Sequence, residues 1–241
     1  MTALAASGLR ARMESLDLLA NNVANASTGG YKADREFYSI YTSSEAADVG
    51  SDDAMPVIER QWTDLSQGAL HSTGNPLDLA LSGRGFFTVQ GPDGAELYTR
   101  NGSFRIAADG KLISDDGYAA QTVSGAALTL SPAQSVEVMA DGTVRQGATN
   151  VGQLAIADFA DTTALAKQGS NYFVADPAAK PAAPTATLVE QGQLEDSNAG
   201  PAEGAVRLVD VMRQFEMMQK AVLLGDDMSK QAIEQVAKVN P

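Results

Sequence analysis

Gly85-Phe-Phe-Thr-Val-Gln-Gly-Pro-Asp-Gly-Ala-Glu-Leu-Tyr-Thr-Arg-Asn-Gly-Ser-Phe-Arg-Ile-Ala-Ala-Asp-Gly-Lys-Leu-Ile113 is the stretch that decides the fold class. Its apolar runs are short: Phe86 to Val89, Leu97 to Thr99, Phe104 to Ile106, and Leu112-Ile113. Asp93-Gly94, Asn101-Gly102 and Asp109-Gly110 separate them, and such dipeptides supply the positive φ angles of tight hairpin turns. Upstream, Leu77, Leu79 and Leu81 alternate with Asp78 and Ala80 at period two. Downstream, Asp116-Gly117 and Asp141-Gly142 extend the turn series, and Val136/Val138, Leu154/Ile156 and Tyr172-Phe173-Val174 read as further strands. The run from Asp176 to Pro184, rich in Pro and Ala, reads as an extended loop. These features predict an all-β domain over residues 75–190.

The period changes outside this domain. Ala6, Leu9, Met13, Leu16, Ala20 and Val23 recur at spacings of three and four, the stripe of a coiled-coil seam. Gly29-Gly30 is the expected stop of that helix. Asn21, Asn22 and Asn25 are poor helix formers near its end, serving either as punctuation or as side-chain hydrogen bonders to a neighbouring helix. A second stripe runs through Leu208, Val211, Phe215, Met218, Val222, Gly225, Ser229, Ala232, Val236 and Val239, predicting a helix over 202–237. Glycine at 225 implies a close helix–helix approach there. The expected architecture is α+β: terminal helices forming a coiled-coil-like core, with the β domain between them. The boundaries are 1–40 for the N-terminal helix of the core, 41–74 for a transitional linker containing the polar Ser43-Ser44 and Gly50-Ser-Asp-Asp53, 75–190 for the β domain, and 191–241 for the C-terminal helix of the core.

The chain has 241 residues, 44% of them hydrophobic, with 17 basic and 30 acidic side chains and a net charge of −13. The acidic balance excludes a general nucleic-acid binder, whose affinity comes from neutralising phosphates. No stretch approaches the roughly 20 consecutive apolar residues of a bilayer span, so membrane insertion is not expected. Cysteine is absent and His71 is the only histidine, so no thiolate chemistry, disulfide or common zinc site is available, and no cofactor or metal is expected. The N-terminus lacks a basic stretch followed by an apolar one, so no cleavable secretory signal is expected. Residues 41–203 carry the whole net charge, while both ends are neutral. That asymmetry places ends and middle in different surroundings.

No motif carries convincing chemistry. Gly83-Arg-Gly85 lacks the third glycine and the following helix of a dinucleotide loop. There is no Gly-x-Ser-x-Gly elbow. Asp78, Asp93, Asp115 and Asp116 are formal candidates for a glycosidase carboxylate pair, but aspartates beside turns are far more often turn formers.

The run Leu19-Ala-Asn-Asn-Val-Ala-Asn-Ala-Ser-Thr-Gly-Gly-Tyr-Lys32 resembles the N-terminal signature of the bacterial flagellar basal-body rod and hook protein family, here through Asn21, Asn22, Asn25, Thr28, Gly30, Tyr31 and Lys32. The resemblance continues through Gly68–Ala80, Gly85–Val89, Tyr98–Phe104, Leu194–Asn198 and a terminal helix containing Arg213-Gln-Phe-Glu216. It covers nearly the whole chain. It implies a structural subunit of the flagellar basal body, not an enzyme, in a rod spanning the periplasm. Its partners would be other copies of itself, other rod proteins and the flagellar type III export apparatus. Arg213–Lys220 followed by Asp227–Lys230 looks closer to the proximal rod branch than to the distal one, which is kept as the alternative. A carbohydrate-active enzyme or binding module on the β domain is the rival from another class. The assembly seams implied are Leu9, Met13, Leu16, Ala20 and Val23 on the first helix, and Leu208, Val211, Phe215, Met218, Val222, Gly225, Ala232 and Val236 on the last. Ala199-Gly-Pro-Ala-Glu-Gly-Ala205 departs from the family pattern where the last helix starts.

Overall fold

The computed structural model describes residues 2–42 and 54–239, and the polar run at 43–53 lies outside the described residues. In chain order the elements are α1 (Thr2–Ala24), β1 (Asp34–Thr42), β2 (Ala54–Thr63), β3 (Leu70–Ser72), β4 (Leu79–Ser82), β5 (Phe86–Gln90), β6 (Glu96–Thr99), β7 (Phe104–Ile106), β8 (Leu112–Ser114) and β9 (Ala119–Ala120). They continue with β10 (Val136–Val138), β11 (Thr143–Gln146), β12 (Thr149–Gln153), β13 (Ile156–Ala157), β14 (Leu165–Gln168), β15 (Tyr172–Ala175), β16 (Leu188–Gln191), β17 (Gln193–Glu195) and α2 (Pro201–Val239). The chain is therefore α+β, with a mostly β middle between a shorter first helix and a longer last one. It divides into two compact units: a helical unit of α1, the β1–β2 pair and α2, and a β unit of residues 25–33 with 64–199.

In the β unit every strand pairing is antiparallel. The largest sheet runs β14-β15-β6-β5-β9-β8-β7, with β13 also on β5; β10-β11-β12, β16-β4 and β17-β3 form smaller ones. The continuous apolar run Phe86-Phe-Thr-Val89 follows from burial on both faces. Phe87 and Val89 enter the main core with Leu79, Leu81, Leu97, Phe104 and Leu154, whereas Phe86 enters a second cluster with Tyr98, Phe159 and Phe173. The aromatic rings meet at tilted or edge-on angles, Tyr98 on Phe159 at 4.9 Å and Phe86 on Phe173 at 5.4 Å.

The four Asp-Gly turns form as their sequence requires. Gly94, Gly110, Gly117 and Gly142 all have positive φ and join the paired strands β5–β6, β7–β8, β8–β9 and β10–β11. Asn101-Gly102 does not behave this way. Its flanking strands β6 and β7 are not hydrogen-bonded to each other, and Gly102 is not among the positive-φ residues. Glycine is needed there for another reason: its carbonyl accepts from Leu79 N at 2.9 Å, and a Cβ would collide with the Leu79 carbonyl. The Pro/Ala run is irregular apart from a bridge between Asp158 and Ala182.

In the helical unit β1 pairs antiparallel with β2 from Asp34/Thr63 outward, with a register shift between Phe37 and Tyr38. Helix α1 ends at Ala24, short of the expected Gly29-Gly30 stop, and a turn closed by Thr28 N on Asn25 O (3.0 Å) follows. Helix α2 starts at Pro201, where a missing N–H costs little, and runs for 39 residues.

Candidate functional site

The family-like signature divides between the two units. In the β unit, Gly30 has φ +67 and donates its N–H to the Glu195 carbonyl at 2.7 Å. A Cβ on Gly30 would run into the backbone of Arg100 and Asn101. That geometry turns the chain so that Tyr31 and Lys32 both point inward. Tyr31 packs with Ala33 and Ala199, and Lys167 Nζ stands 4.0 Å from its ring centroid while donating to the Lys32 carbonyl at 2.7 Å.

Lys32 is fully buried, with 0% of its surface exposed. Its Nζ donates to Glu195 Oε1 at 2.5 Å and to Ser66 O at 2.7 Å. Arg100, also buried, donates to Glu195 Oε2 at 3.3 Å and to Gly83 O at 2.7 Å. Gly68 N adds a third donor to the carboxylate at 2.8 Å. Two cations thus share one buried anion, and backbone carbonyls accept further bonds from both. Burial pushes the Lys32 ammonium below its usual pKa, and Glu195 only partly offsets this. The Arg100 guanidinium is displaced in the same direction by the same cause. Asn198 completes the cluster: its Nδ2 donates to Asp64 O at 2.7 Å, its Oδ1 accepts from Ala33 N at 2.7 Å, and its backbone N donates to Tyr31 O at 3.2 Å. Both Glu195 carboxylate oxygens are occupied. The arrangement can hold chain segments together and has no free base or nucleophile to offer.

In the helical unit, Asn22 uses its amide like a strand partner. Its Nδ2 donates to Asp34 O at 2.7 Å and its Oδ1 accepts from Asp34 N at 2.9 Å. Both of these bonds go to the first residue of β1. Ser15 Oγ donates to Glu36 at 2.7 Å on the same helix face. Among the described side chains of α1, Gly8, Ala11, Ser15, Leu19 and Asn22 are buried. Leu9, Leu16 and Val23 are half-buried, whereas Met13 and Ala20 are exposed. On α2, Gly204, Leu208, Val211, Phe215, Met218 and Val222 are the half-buried positions. A Cβ at Gly204 would stand 2.9 Å from Val23 Cγ2, so the end of α1 lies beside the start of α2 and the two helices run antiparallel. Beyond Val222 the described positions are exposed, including Gly225, where a Cβ would meet nothing within 4 Å. Val206, Val209, Met212, Met217, Leu223, Leu224 and Met228 are large apolar residues left exposed on α2. The side chains of Ala232 and Val236 lie outside the described residues.

The four aspartates considered for catalysis are scattered. Asp78 is buried in a turn and accepts from Asn75 Nδ2 at 2.9 Å; Asp93 is exposed at a hairpin tip; Asp115 and Asp116 sit together on a cleft rim. Among the described residues no His, Asp and Glu side chains cluster as a metal site would require, and no helix is long and apolar enough to cross a membrane. Sequence reasoning did not single out Arg100, Glu195 or Asn198. They stood within stretches that carried the family resemblance, but no local spacing connects Lys32 to a carboxylate 163 positions away.

Comparison with known proteins accounts for these stretches. Residues 4–32 match the family described as flagella basal body rod protein, residues 80–146 match the flagellar hook protein FlgE/F/G D1 domain, and residues 190–235 match the flagellar basal body rod FlgEFG protein C-terminal family. The chain is 33% identical over 233 residues to flagellar basal-body rod protein FlgF of Caulobacter vibrioides, covering 93% of each chain. It is also 33% identical over 253 residues to flagellar basal-body rod protein FlgG of Agrobacterium fabrum, covering 94% of this chain and 95% of that one. Flagellar basal-body rod protein FlgG of Bacillus subtilis is 28% identical over 255 residues, with 94% and 95% covered.

Proposed function

The chain belongs to the flagellar basal-body rod protein family, a component of the bacterial flagellum basal body, and from that premise we propose that it is a proximal rod subunit that assembles helically through its terminal helices into a hollow shaft carrying torque. In this proposal α1 and α2 form a coiled-coil-like core with those of other copies and of other rod proteins, the central β domain stands outside, and the chain reaches its site through the flagellar type III export apparatus. It performs no catalysis. The observation that carries the proposal is the apolar surface of α2: a single chain leaves Leu223, Leu224 and Met228 open to water, which is costly unless other helices cover them. The charge pattern agrees, since neutral ends suit a crowded core of like helices where a net charge per copy would accumulate repulsion.

Gly225 gives the cleanest test. A Cβ there has open space in the single chain, so Gly225→Leu leaves the isolated protein folded and reports on packing between copies alone. Rod assembly should stop, as it should with the seam variants Leu16→Asp and Phe215→Asp, which bury an unpaired charge. Complete rods and normal swimming in a cell carrying only Gly225→Leu would refute the assembly role. The distal rod reading, favoured equally by the identity to the Agrobacterium fabrum protein, is separated by locating the subunit in a map of the intact basal body.

A further inference from the structure

The β unit contains a cleft of about 460 Å³ that shares no residue with α1 or α2. Its walls come from Thr28, Asn101, Tyr118, Asn171 and Tyr172, and Asp115 and Asp116 stand on its rim. That volume lies within the range of small-molecule clefts. Asn171 is the informative residue. It is only 6% exposed, and its backbone carbonyl accepts from Thr99 Oγ1 at 2.8 Å. Its side-chain amide, however, has no hydrogen-bond partner among the described residues, and it is not among the polar atoms sealed from solvent. The amide therefore reaches solvent with both a donor and an acceptor unused by the protein, and Asn171 is part of the cleft lining. Only water meets that amide in the single chain, and a ligand that replaces this water has both a donor and an acceptor to pair with. Asn101, 8% exposed, repeats the pattern in part: its Oδ1 accepts from Ser103 N at 3.1 Å, while its Nδ2 has no partner among the described residues.

The rest of the lining restricts what could pair with these amides. No Lys or Arg lines the cleft, and two carboxylates edge it, so an anion is repelled. Asp116 already accepts from Tyr172 O–H at 2.7 Å and Asp115 from Ser103 Oγ at 3.3 Å, leaving each with acceptor capacity for a hydroxyl or amide donor. The unpaired amide N–H groups of Asn171 and Asn101 can donate to a ligand acceptor. Tyr118, packed edge-on against Tyr172 at 5.0 Å, contributes an aromatic wall for C–H contact. A sugar meets these demands, with hydroxyls that donate to carboxylates and accept from amides and a C–H face that lies against an aromatic ring. We propose that this cleft binds a neutral oligosaccharide, with the Asn171 and Asn101 amides donating to its oxygens and Asp115 and Asp116 receiving its hydroxyls. Binding, not cleavage, is assigned.

The test is calorimetric titration of the purified full-length chain, separately with cellotetraose and with tetra-N-acetylchitotetraose. Asn171→Leu removes the buried amide, and Asp115→Ala, on the exposed rim, guards against a folding defect; thermal melting checks both. Binding of at least one sugar that each variant weakens by about tenfold or more is the expected result. No binding of either sugar up to about 10 mM, or affinity retained by either folded variant, would overturn the proposal. The outcome is independent of rod assembly, since the cleft shares no residue with α1 or α2.

Discussion

The β unit hides charge, and the helical unit exposes grease. In the former, Lys32, Arg100 and Glu195 are withdrawn from water although each costs several kcal/mol to desolvate. In the latter, Leu223, Leu224 and Met228 remain wet, Met228 with 71% of its surface exposed. Ordinary packing would reverse both. The difference separates a unit whose polar groups are already matched from one whose apolar surface is unmatched within the single chain.

This contrast breaks most sharply at its charged side. Glu195→Leu leaves two buried cations without their anion and should cost about 3–5 kcal/mol in denaturant unfolding of the purified chain. Lys32→Met should cost less, because Arg100 and Glu195 remain a balanced pair; equal losses would show that the pairing, not the charge balance, matters. Next in size is Asn22→Ala, which strips both backbone hydrogen bonds from Asp34 and should lower stability by about 1–3 kcal/mol in the same assay.

A third effect appears only in alkali. Burial, with Glu96 adding to it, raises the Tyr98 pKa to about 12 from an ordinary value of 10. Between those pH values the unfolded chain releases a proton that the folded chain retains, so stability falls as pH rises from 10 toward 12. Lys32 acts oppositely: with its folded pKa below 10.5, the unfolded chain holds more protons just under that pH, so its share of stability rises there. Tyr98→Phe should flatten the alkaline decline measured by unfolding between about pH 9 and 12, and an unchanged slope would remove Tyr98 as its source. The smallest effect belongs to the exposed face. Leu224→Ser and Met228→Ser should shift the stability of the isolated chain by no more than about 0.5 kcal/mol while impairing assembly. A larger loss would mean that this surface is covered within one chain.

Legibility in the sequence followed the range of the interaction. Period-two alternation and Asp-Gly turns are local, so β5 to β8 could be placed from residues 85–113 alone. The stripe Leu208, Val211, Phe215, Met218 and Val222 is also local, and the half-buried positions of α2 fall on it. The buried face of α1 was not legible, because Gly8, Ala11, Ser15 and Asn22 are small or polar and register weakly beside Leu9 and Leu16. Gly102 looked like a turn glycine, since nothing nearby in sequence announces the Leu79 carbonyl pressed against it. The Lys32, Arg100 and Glu195 cluster was invisible to spacing for the same reason, and so was the open amide of Asn171.

The division of the chain also sets a schedule. The β unit closes only when Glu195 and Asn198 reach Lys32 and Ala33, and the helical unit only when α2, beginning at Pro201, reaches α1. Contacts so distant along the chain form late, because the intervening loop must be ordered before they return any energy. A chain emerging N-terminus first therefore carries both units unfinished through about four-fifths of its length. Interruption before Glu195 forfeits both together, and only a chain carried past Ala199 holds all of one unit, the β unit, while the other still waits for α2.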